Sequence, residues 1–340
     1  MITVKTIGRK YDIIIERGCL NRIGELLNLN RKVMVVTDDG VPGKYADIVT
    51  GACKQSYVTV IKQGEKHKNK ESYYEIIRNC LNAGLGQDDC IVALGGGIVG
   101  DMAGFAAATY KHGIEFYNIP TTCLSQVDSS IGGKTAINYK DVKNIIGCFY
   151  QPSRVIIDPE VLKTLSDRQL LNGLAEALKM SLTSDSSLFD IFEQNNIYDE
   201  NILDTIIEKA LLIKKSVVEK DERESGLRRI LNFGHTIGHG IEAVYVGGDE
   251  EQALYHGECV ALGMTVMCSD EVRNRLVAVM KKMNLPTECK VDRDKVFEAV
   301  KQDKKASANG ISAVLVNTPG KFEMVNITLE EVRRLIDKLA

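Results

Sequence analysis

The stretch DDCIVALGGGIVGDMAGFAAATY, residues 88 to 110, constrains the fold more than any other part of the chain. An apolar strand pattern, Asp89–Leu94, runs straight into three glycines and then into a helical pattern of small residues, Gly100–Tyr110. A strand that hands over to a helix without an intervening loop belongs to an α/β unit. The same rhythm recurs across the first 158 residues. Further strands are predicted at Tyr11–Glu16, Lys32–Thr37, Val58–Ile61, Phe116–Ile119 and Val155–Asp158, with a helix at Glu71–Ala83. The expected architecture is an N-terminal α/β domain, residues 1–158, built on a mostly parallel sheet.

After Pro159 the pattern changes to long stretches of 3.6-residue period: Asp167–Thr183, Glu200–Glu219, Ile230–Val244 and Gly257–Met283. One late strand pair, Ser312–Val316 and Phe322–Val325, interrupts them. Residues 159–340 are therefore expected to form a mainly helical domain. The active site is expected in the cleft between the two domains, a favoured place for ligand pockets.

Composition narrows the class. A net charge of −3 over 340 residues gives no electrostatic reason to expect nucleic acid or an anionic membrane as partner. Apolar runs are too short or too interrupted to span a bilayer; the longest is broken by Asp101 and its glycines. The N-terminus alternates like a strand and lacks the plan of a signal peptide. Nine scattered cysteines without a CxxC pair read as the buried thiols of a reducing cytoplasm.

Gly95, Gly97 and Gly100 satisfy GxGxxG, and the context of strand, turn and helix suits a pyrophosphate at a helix N-terminus. Such turns also serve as plain tight connections. No acidic residue lies about 20 positions further on to hold a ribose. Asp38, at the end of the strand in VMVVTDDG, is the better candidate, which implies a rearranged dinucleotide domain.

PTTCLSQVDSSIGGKTAIN, residues 120 to 138, reads as a polar loop with hydroxyls, a Gly132–Gly133 hinge and Lys134. Lys143 and Asn144 follow, and the lysines suggest an anionic substrate. In GLAEALK, Glu176 and Lys179 point the same way on a helix. LNFGHTIGHGIE places His235 and His239 on one helix face, with Arg228 one turn before Asn232. A zinc-protease helix needs Glu after its first His, and here Thr236 stands there. Glu176, His235 and His256 would make a two-histidine, one-carboxylate metal set; the alternative is histidines packed in a core.

These segments, together with KNIIGCFYQP, HGECVALGM and QDKK, occur in an order that resembles the 3-dehydroquinate synthase family over nearly the whole chain. The resemblance implies NAD and a divalent metal, zinc or cobalt, the metal held by Glu176, His235 and His256. It assigns Asp38, Glu65, Lys68, Gly96, Gly97, Asp101, Thr121, Thr122, Leu124, Asp128, Ser129, Lys134 and Lys143 to NAD, with Asp38, Glu65 and Lys68 toward the adenosine. Around the substrate it assigns Lys134, Lys143, Asn144, Lys179, Lys214, Arg228, Asn232, His239 and Lys304.

The implied substrate is 3-deoxy-arabino-heptulosonate 7-phosphate. It is oxidised transiently by NAD, loses phosphate, is reduced again, and closes by an aldol step to dehydroquinate. Lys179 and Arg228 would hold its carboxylate, and Lys134 and Asn144 its phosphate. A cytoplasmic homodimer is expected from the same resemblance. One departure stands out: in TYKHG, His112 occupies a position where many members carry arginine, and it or Lys111 would have to substitute. VGGDEEQALY reads as a longer surface loop. The competing readings are a related cyclase making an inosose, a valiolone or an amino-dehydroquinate, an NAD-linked polyol dehydrogenase, and a non-catalytic NAD-binding protein.

Overall fold

The computed structural model describes residues 1–140, 142–245, 253–303 and 310–340. They form two compact units, Met1–Ser166 and Asp167–Ala340. The first carries β1 (Ile2–Lys5), β2 (Lys10–Ile15), α1 (Ile23–Leu26), β3 (Lys32–Asp38), α2 (Gly43–Gly51), β4 (Gln55–Ile61) and α3 (Lys70–Asn82). It continues with β5 (Cys90–Gly95), α4 (Gly97–Thr109), β6 (Glu115–Pro120), β7 (Lys134–Tyr139), β8 (Val142–Phe149) and β9 (Arg154–Ile157). Seven strands make one sheet in the order β1-β2-β9-β6-β5-β3-β4. Every pairing in it is parallel except β1 with β2.

Alternation along the central strands explains why both faces are covered. Met34, Val36, Ile91 and Ala93 enter one core with residues of α3 and α4. Val33, Val35, Cys90, Val92 and Leu94 enter a second core on the opposite face. Near-continuous apolar strands are what a parallel sheet buried on both sides requires. The turn at Pro159–Thr164 belongs to this unit, since Val161 lies in the second core and its carbonyl accepts from Tyr45 Oη.

The segment expected as one polar loop has structure of its own. Ser125–Ser129 forms a π-helical turn, and β7 pairs antiparallel with β8. Gly132 and Gly133, at φ 99° and 67°, stop the turn and launch β7. Only Thr135, Ala136 and Ile137 of β7 are buried and β8 is exposed throughout, so no apolar alternation announces the hairpin.

The second unit carries α5 (Asp167–Ser184), α6 (Ser186–Gln194), α7 (Glu200–Lys220), α8 (His235–Tyr245), α9 (His256–Val266), α10 (Asp270–Lys282), α11 (Arg293–Asp303), β10 (Ile311–Thr318), β11 (Lys321–Ile327) and α12 (Leu329–Asp337). β10 and β11 form the expected hairpin. Two stretches expected as single helices are broken. Ile230–Val244 splits at Phe233 and Gly234, the latter at φ 78°. Gly257–Met283 splits at Met267–Ser269, where the chain leaves the helix to pair with β10. Val316 N–H donates to the Met267 carbonyl at 3.2 Å, and Ser269 N–H to the Val316 carbonyl at 3.1 Å. Among the described residues no helix is long and apolar enough to cross a membrane. The VGGDEEQ part of the acidic segment and Lys304 lie outside the described residues.

Asp158, 2% exposed, ties the end of β9 to the turn after β2. Its carboxylate accepts from the N–H groups of Gly18 (2.8 Å), Leu20 (3.0 Å) and Glu160 (2.9 Å). Asp158→Ala is expected to destabilise the protein by at least about 2 kcal/mol, because a stranded buried donor costs about 1–3 kcal/mol. Urea unfolding of parent and variant measures it. A loss below about 0.5 kcal/mol would mean that water replaces the carboxylate.

Candidate functional site

In the first unit the chain passes from β3 outward to β4 and returns to β5 on the other side of β3. That reversal is a topological switch point, and in open α/β sheets ligands bind beyond the carboxyl ends of the strands there. Asp38 ends β3 and the glycine turn follows β5, so two candidates far apart in sequence flank one crevice. Burial raises the Asp38 carboxyl above its ordinary value although the N–H groups of Gly40 and Val41 donate to it.

Gly96 precedes α4 and no side chain caps that helix end. A Cβ on Gly97 would lie 2.9 Å from Ser129 Oγ, and one on Gly96 3.1 Å from Thr122 Cγ2. The turn is thus pressed against the segment that carries Thr121, Thr122, Leu124, Asp128 and Ser129. The buried hydroxyls of Ser125, Ser129 and Ser130 have no hydrogen-bond partner among the described residues. An uncapped helix N-terminus with bare backbone and orphaned hydroxyls suits a dinucleotide pyrophosphate.

Beside it, Lys68 is 4% exposed and donates to Asp101 Oδ2 and Asn144 Oδ1, both at 2.5 Å. Asn144 sits at φ 54°, and its N–H donates to Asn138 Oδ1 at 2.8 Å. Asn138 Nδ2 donates in turn to Glu65 Oε1 at 2.8 Å. Glu65, Lys68, Asp101 and Asn144 therefore belong to one network. Asn138 is its connector, and nothing in the sequence marks it, because its contacts depend on the hairpin. Lys134 opens β7 and Lys143 lies on β8, both exposed on the same hairpin.

In the second unit the glycines of the motifs set the helix spacing. A Cβ on Gly263 would fall 2.1 Å from the Gly234 carbonyl, and one on Gly238 3.0 Å from that of Cys259. A Cβ on Gly257 would fall 2.0 Å from the Asn172 carbonyl, so only glycine lets the start of α9 reach α5. Asn172 Oδ1 also accepts from Gly257 N–H at 2.6 Å. Glu176 stands one turn beyond Asn172 and His256 directly before Gly257, and this contact brings them together.

The Nε2 atoms of His235 and His256 each lie 3.7 Å from Glu176 Oε1. That oxygen is buried and makes no hydrogen bond among the described residues. The other oxygen of Glu176 accepts from Lys179 Nζ, in an ion pair whose side chains are both 1% exposed. His239 joins the group: ligating atoms of His235, His239 and His256 lie within 4.8 Å of one another. The outer ring nitrogens have partners as well. His235 Nδ1 lies 3.2 Å from the Phe233 carbonyl, and His256 Nδ1 lies 3.1 Å from Glu242 Oε2.

Burial, with Lys179 and the two other histidines adding, holds His235 well below the ordinary imidazole value and so neutral. Burial pulls His256 down too, but the hydrogen bond to Glu242 and the charges of Glu176 and Glu242 raise it overall. Two neutral-capable imidazoles and an orphaned carboxylate oxygen fit the donor set of a catalytic zinc. Glu258, close by in sequence, is used otherwise: Arg168 grips it with two hydrogen bonds of 2.7 Å.

Arg228 is 3% exposed, with Nη1 donating to the Glu222 carbonyl at 2.6 Å, and Lys214 is buried on α7. Asn232 Nδ2 donates to Glu224 Oε1 at 3.0 Å. A cavity of about 400 Å³ is lined by Asn232, Thr236, Glu224 and the arginines Arg223 and Arg229. Nothing in the spacing of this charged run marks the two arginines as cavity residues.

A switch-point crevice in one unit that suits a dinucleotide, and a histidine–carboxylate cluster in the other that could hold a metal, are features of a class of α/β enzyme. Family models described as the N-terminal and C-terminal parts of 3-dehydroquinate synthase match residues 58–172 and 173–306. A 3-dehydroquinate synthase of Geobacter metallireducens is 42% identical, over 99% of this chain and 98% of its own length. That of Thermoanaerobacter pseudethanolicus is 39% identical, over 98% and 99%. Among solved structures, 2-epi-5-epi-valiolone synthase from Streptomyces hygroscopicus, with NAD+ and Zn2+ bound, superposes with a TM-score of 0.86 at 26% identity, over 96% of this chain and 95% of that one. The chain belongs to the 3-dehydroquinate synthase family.

The turn that presents Arg228 rests on Asp221. Its carboxylate accepts from the N–H groups of Ser225 (2.9 Å), Gly226 (2.7 Å) and Arg228 (2.9 Å). Burial opposes its ionisation, but these donors prevail and lower its pKa to about 2. A depressed carboxylate contributes stability above its unfolded pKa of about 3.9 and loses it as pH falls through the folded value. Protection of the amides of residues 222–228, taken relative to intrinsic exchange at each pH, is therefore expected to fall between about pH 4 and pH 2. Asp221→Asn should exchange fast across that window; a variant as protected as the parent would remove Asp221 as the clamp.

Proposed function

We propose that this chain converts 3-deoxy-D-arabino-heptulosonate 7-phosphate to 3-dehydroquinate and inorganic phosphate, as a carbon–oxygen lyase of the shikimate pathway. The observation that carries the reading is Glu176 Oε1, buried and orphaned between two imidazole nitrogens on the unit that also buries Lys179 and Arg228. A metal–imidazole–carboxylate site beside two buried cations suits a substrate with vicinal hydroxyls and a carboxylate. In this reading residues 1–158 hold NAD and residues 159–340 hold metal and substrate.

Glu176, His235 and His256 hold the divalent metal, zinc or cobalt, which supplies Lewis acidity toward substrate hydroxyls. NAD, held by Asp38, Glu65, Lys68, the Gly96–Gly97 turn, Asp101, Thr121, Thr122, Leu124, Asp128 and Ser129, supplies a reversible hydride acceptor, so no cofactor is consumed. The chain's own side chains do the rest. Lys179 fixes the Glu176 rotamer through the ion pair and presents its remaining charge to the substrate carboxylate, which Arg228 grips as a fork. Asn232 and Lys214 also serve the substrate in this reading, and Lys304, outside the described residues, is assigned to it by the family resemblance alone. Lys134 and Asn144 hold the phosphate and stabilise it as it departs, and Lys143 serves substrate and NAD from the same hairpin. His239, one turn from His235, exchanges a proton on the phosphate side. His112 or Lys111 takes the place of the arginine found in many members.

All nine cysteines are free thiols, which supports a reducing cytoplasm as the compartment, and the working form in this reading is a homodimer.

Purified protein given the heptulosonate phosphate and catalytic NAD is expected to release one phosphate per substrate without accumulating NADH. Chelator should abolish the release, and zinc or cobalt should restore it. Stoichiometric NADH would mark a polyol dehydrogenase instead, and turnover only of sugar phosphates lacking the carboxylate would mark a cyclase of another product. Arg228→Ala is expected to lower kcat/KM by about two to three orders of magnitude, the usual cost of removing one preorganised donor. Steady-state kinetics within threefold of the parent would sink its carboxylate role.

A further inference from the structure

We infer that Glu242 is the positioning residue of the metal site: it sets the tautomer and the ring orientation of His256. The inference rests on the metal site proposed above.

His235 and His256 are not held alike. The His235 ring is anchored by the backbone of its own chain segment, through the Phe233 carbonyl at 3.2 Å, and its side chain is 12% exposed. His256 is the first residue of α9, its side chain is 29% exposed, and its Nδ1 meets a side chain, Glu242 Oε2, at 3.1 Å. Packing alone restrains this ring less. A carboxylate at Nδ1 requires a hydrogen to stand there, which reserves Nε2, 3.7 Å from Glu176 Oε1, as the nitrogen that would meet a metal. An imidazole whose far nitrogen donates to a carboxylate is a more basic and better oriented ligand.

The geometry also says why the residue stands at 242. Positions 235, 239 and 242 lie at i, i+4 and i+7 on α8, within about 60° of one another around the axis. One helix face therefore supplies His235 and His239, and two turns on it reaches across to α9 to orient His256. The glycine contacts at Gly238 and Gly263 that bring α8 and α9 together hold that reach at hydrogen-bond length. A carboxylate tied only to a surface partner would serve no ligand. Glu242 is 20% exposed and its Oε2 is directed at a ring that faces the buried Glu176.

The test is zinc affinity of the full-length protein, measured by competition with a chromophoric chelator for the parent, Glu242→Ala, Glu242→Gln and His235→Ala. Glu242→Ala is expected to weaken zinc binding about 10- to 100-fold, the usual effect of removing such a partner. Glu242→Gln keeps the shape and an acceptor oxygen but loses the charge, and should lose about fivefold or more. The d–d absorption of the cobalt-loaded Ala variant should shift, because a ring free to turn changes the ligand field. Thermal unfolding of the metal-free proteins should be nearly unchanged by either substitution. Zinc affinity within twofold of the parent in both variants overturns the assignment. So does a loss of metal-free stability with parental affinity, which would mark a packing contact only. If Glu242→Ala does not fold, Glu242→Gln decides by the same criterion. Failure of the metal site itself looks different: the parent would not bind one zinc per chain, or His235→Ala would bind it equally well.

Discussion

The two oxygens of Glu176 face different partners, and the second unit is arranged around that division. One oxygen is committed to a lysine as deeply buried as itself; the other is left to two imidazoles. Burying a carboxylate and an ammonium costs several kcal/mol per ion before their attraction is counted. Such a pair contributes little to net stability, and a hydrophobic pair of similar size would serve the core as well. Its value lies in orientation. With Lys179 fixing one side of the carboxylate, the remaining lone pairs have one direction left, toward Nε2 of His235 and His256. The glycine contacts among α5, α8 and α9 exist to make that direction short.

The first unit solves a comparable problem with a network instead of a single pair. Lys68 joins the head of α4, through Asp101, to the hairpin, through Asn144. Asn138 then closes the circuit back to Glu65. A left-handed backbone at Asn144 costs about 1 kcal/mol or more, and asparagine tolerates it better than most residues. The gain is a side-chain amide held between lysine and hairpin. Residues that a linear reading assigns separately to nucleotide and substrate are mechanically one body here.

Much of this was legible in the letters because short-range physics dictates it. The strands β3 and β5, the glycine turn and helix α5 announce themselves through apolar runs and periodicity that no tertiary contact overrides. Residue type alone offers Glu176, His235 and His256 as a possible ligand set, but they are distant in sequence, and only the family resemblance favours that set over histidines packed in a core. What stayed hidden was set by contacts between elements. The β7–β8 hairpin lacks an alternating apolar face. The breaks at Gly234, left-handed and pressed against α9, and at Met267–Ser269, paired with Val316, accompany contacts with distant elements that no window of sequence records. Glu242 and Asn138 look like ordinary polar positions until the helix or hairpin opposite them is in place.

The break at Met267–Ser269 has a reach of its own. α9 begins with His256 and, eleven residues later, ends where the chain is stitched to β10 through Val316. A helix of that length is a stiff rod of about 16 Å. The histidine at one end thus takes its height from a pair of backbone bonds at the other. In the metal reading proposed above, the tolerance of that site is set partly by how firmly a small hairpin keeps hold of the rod's far tip.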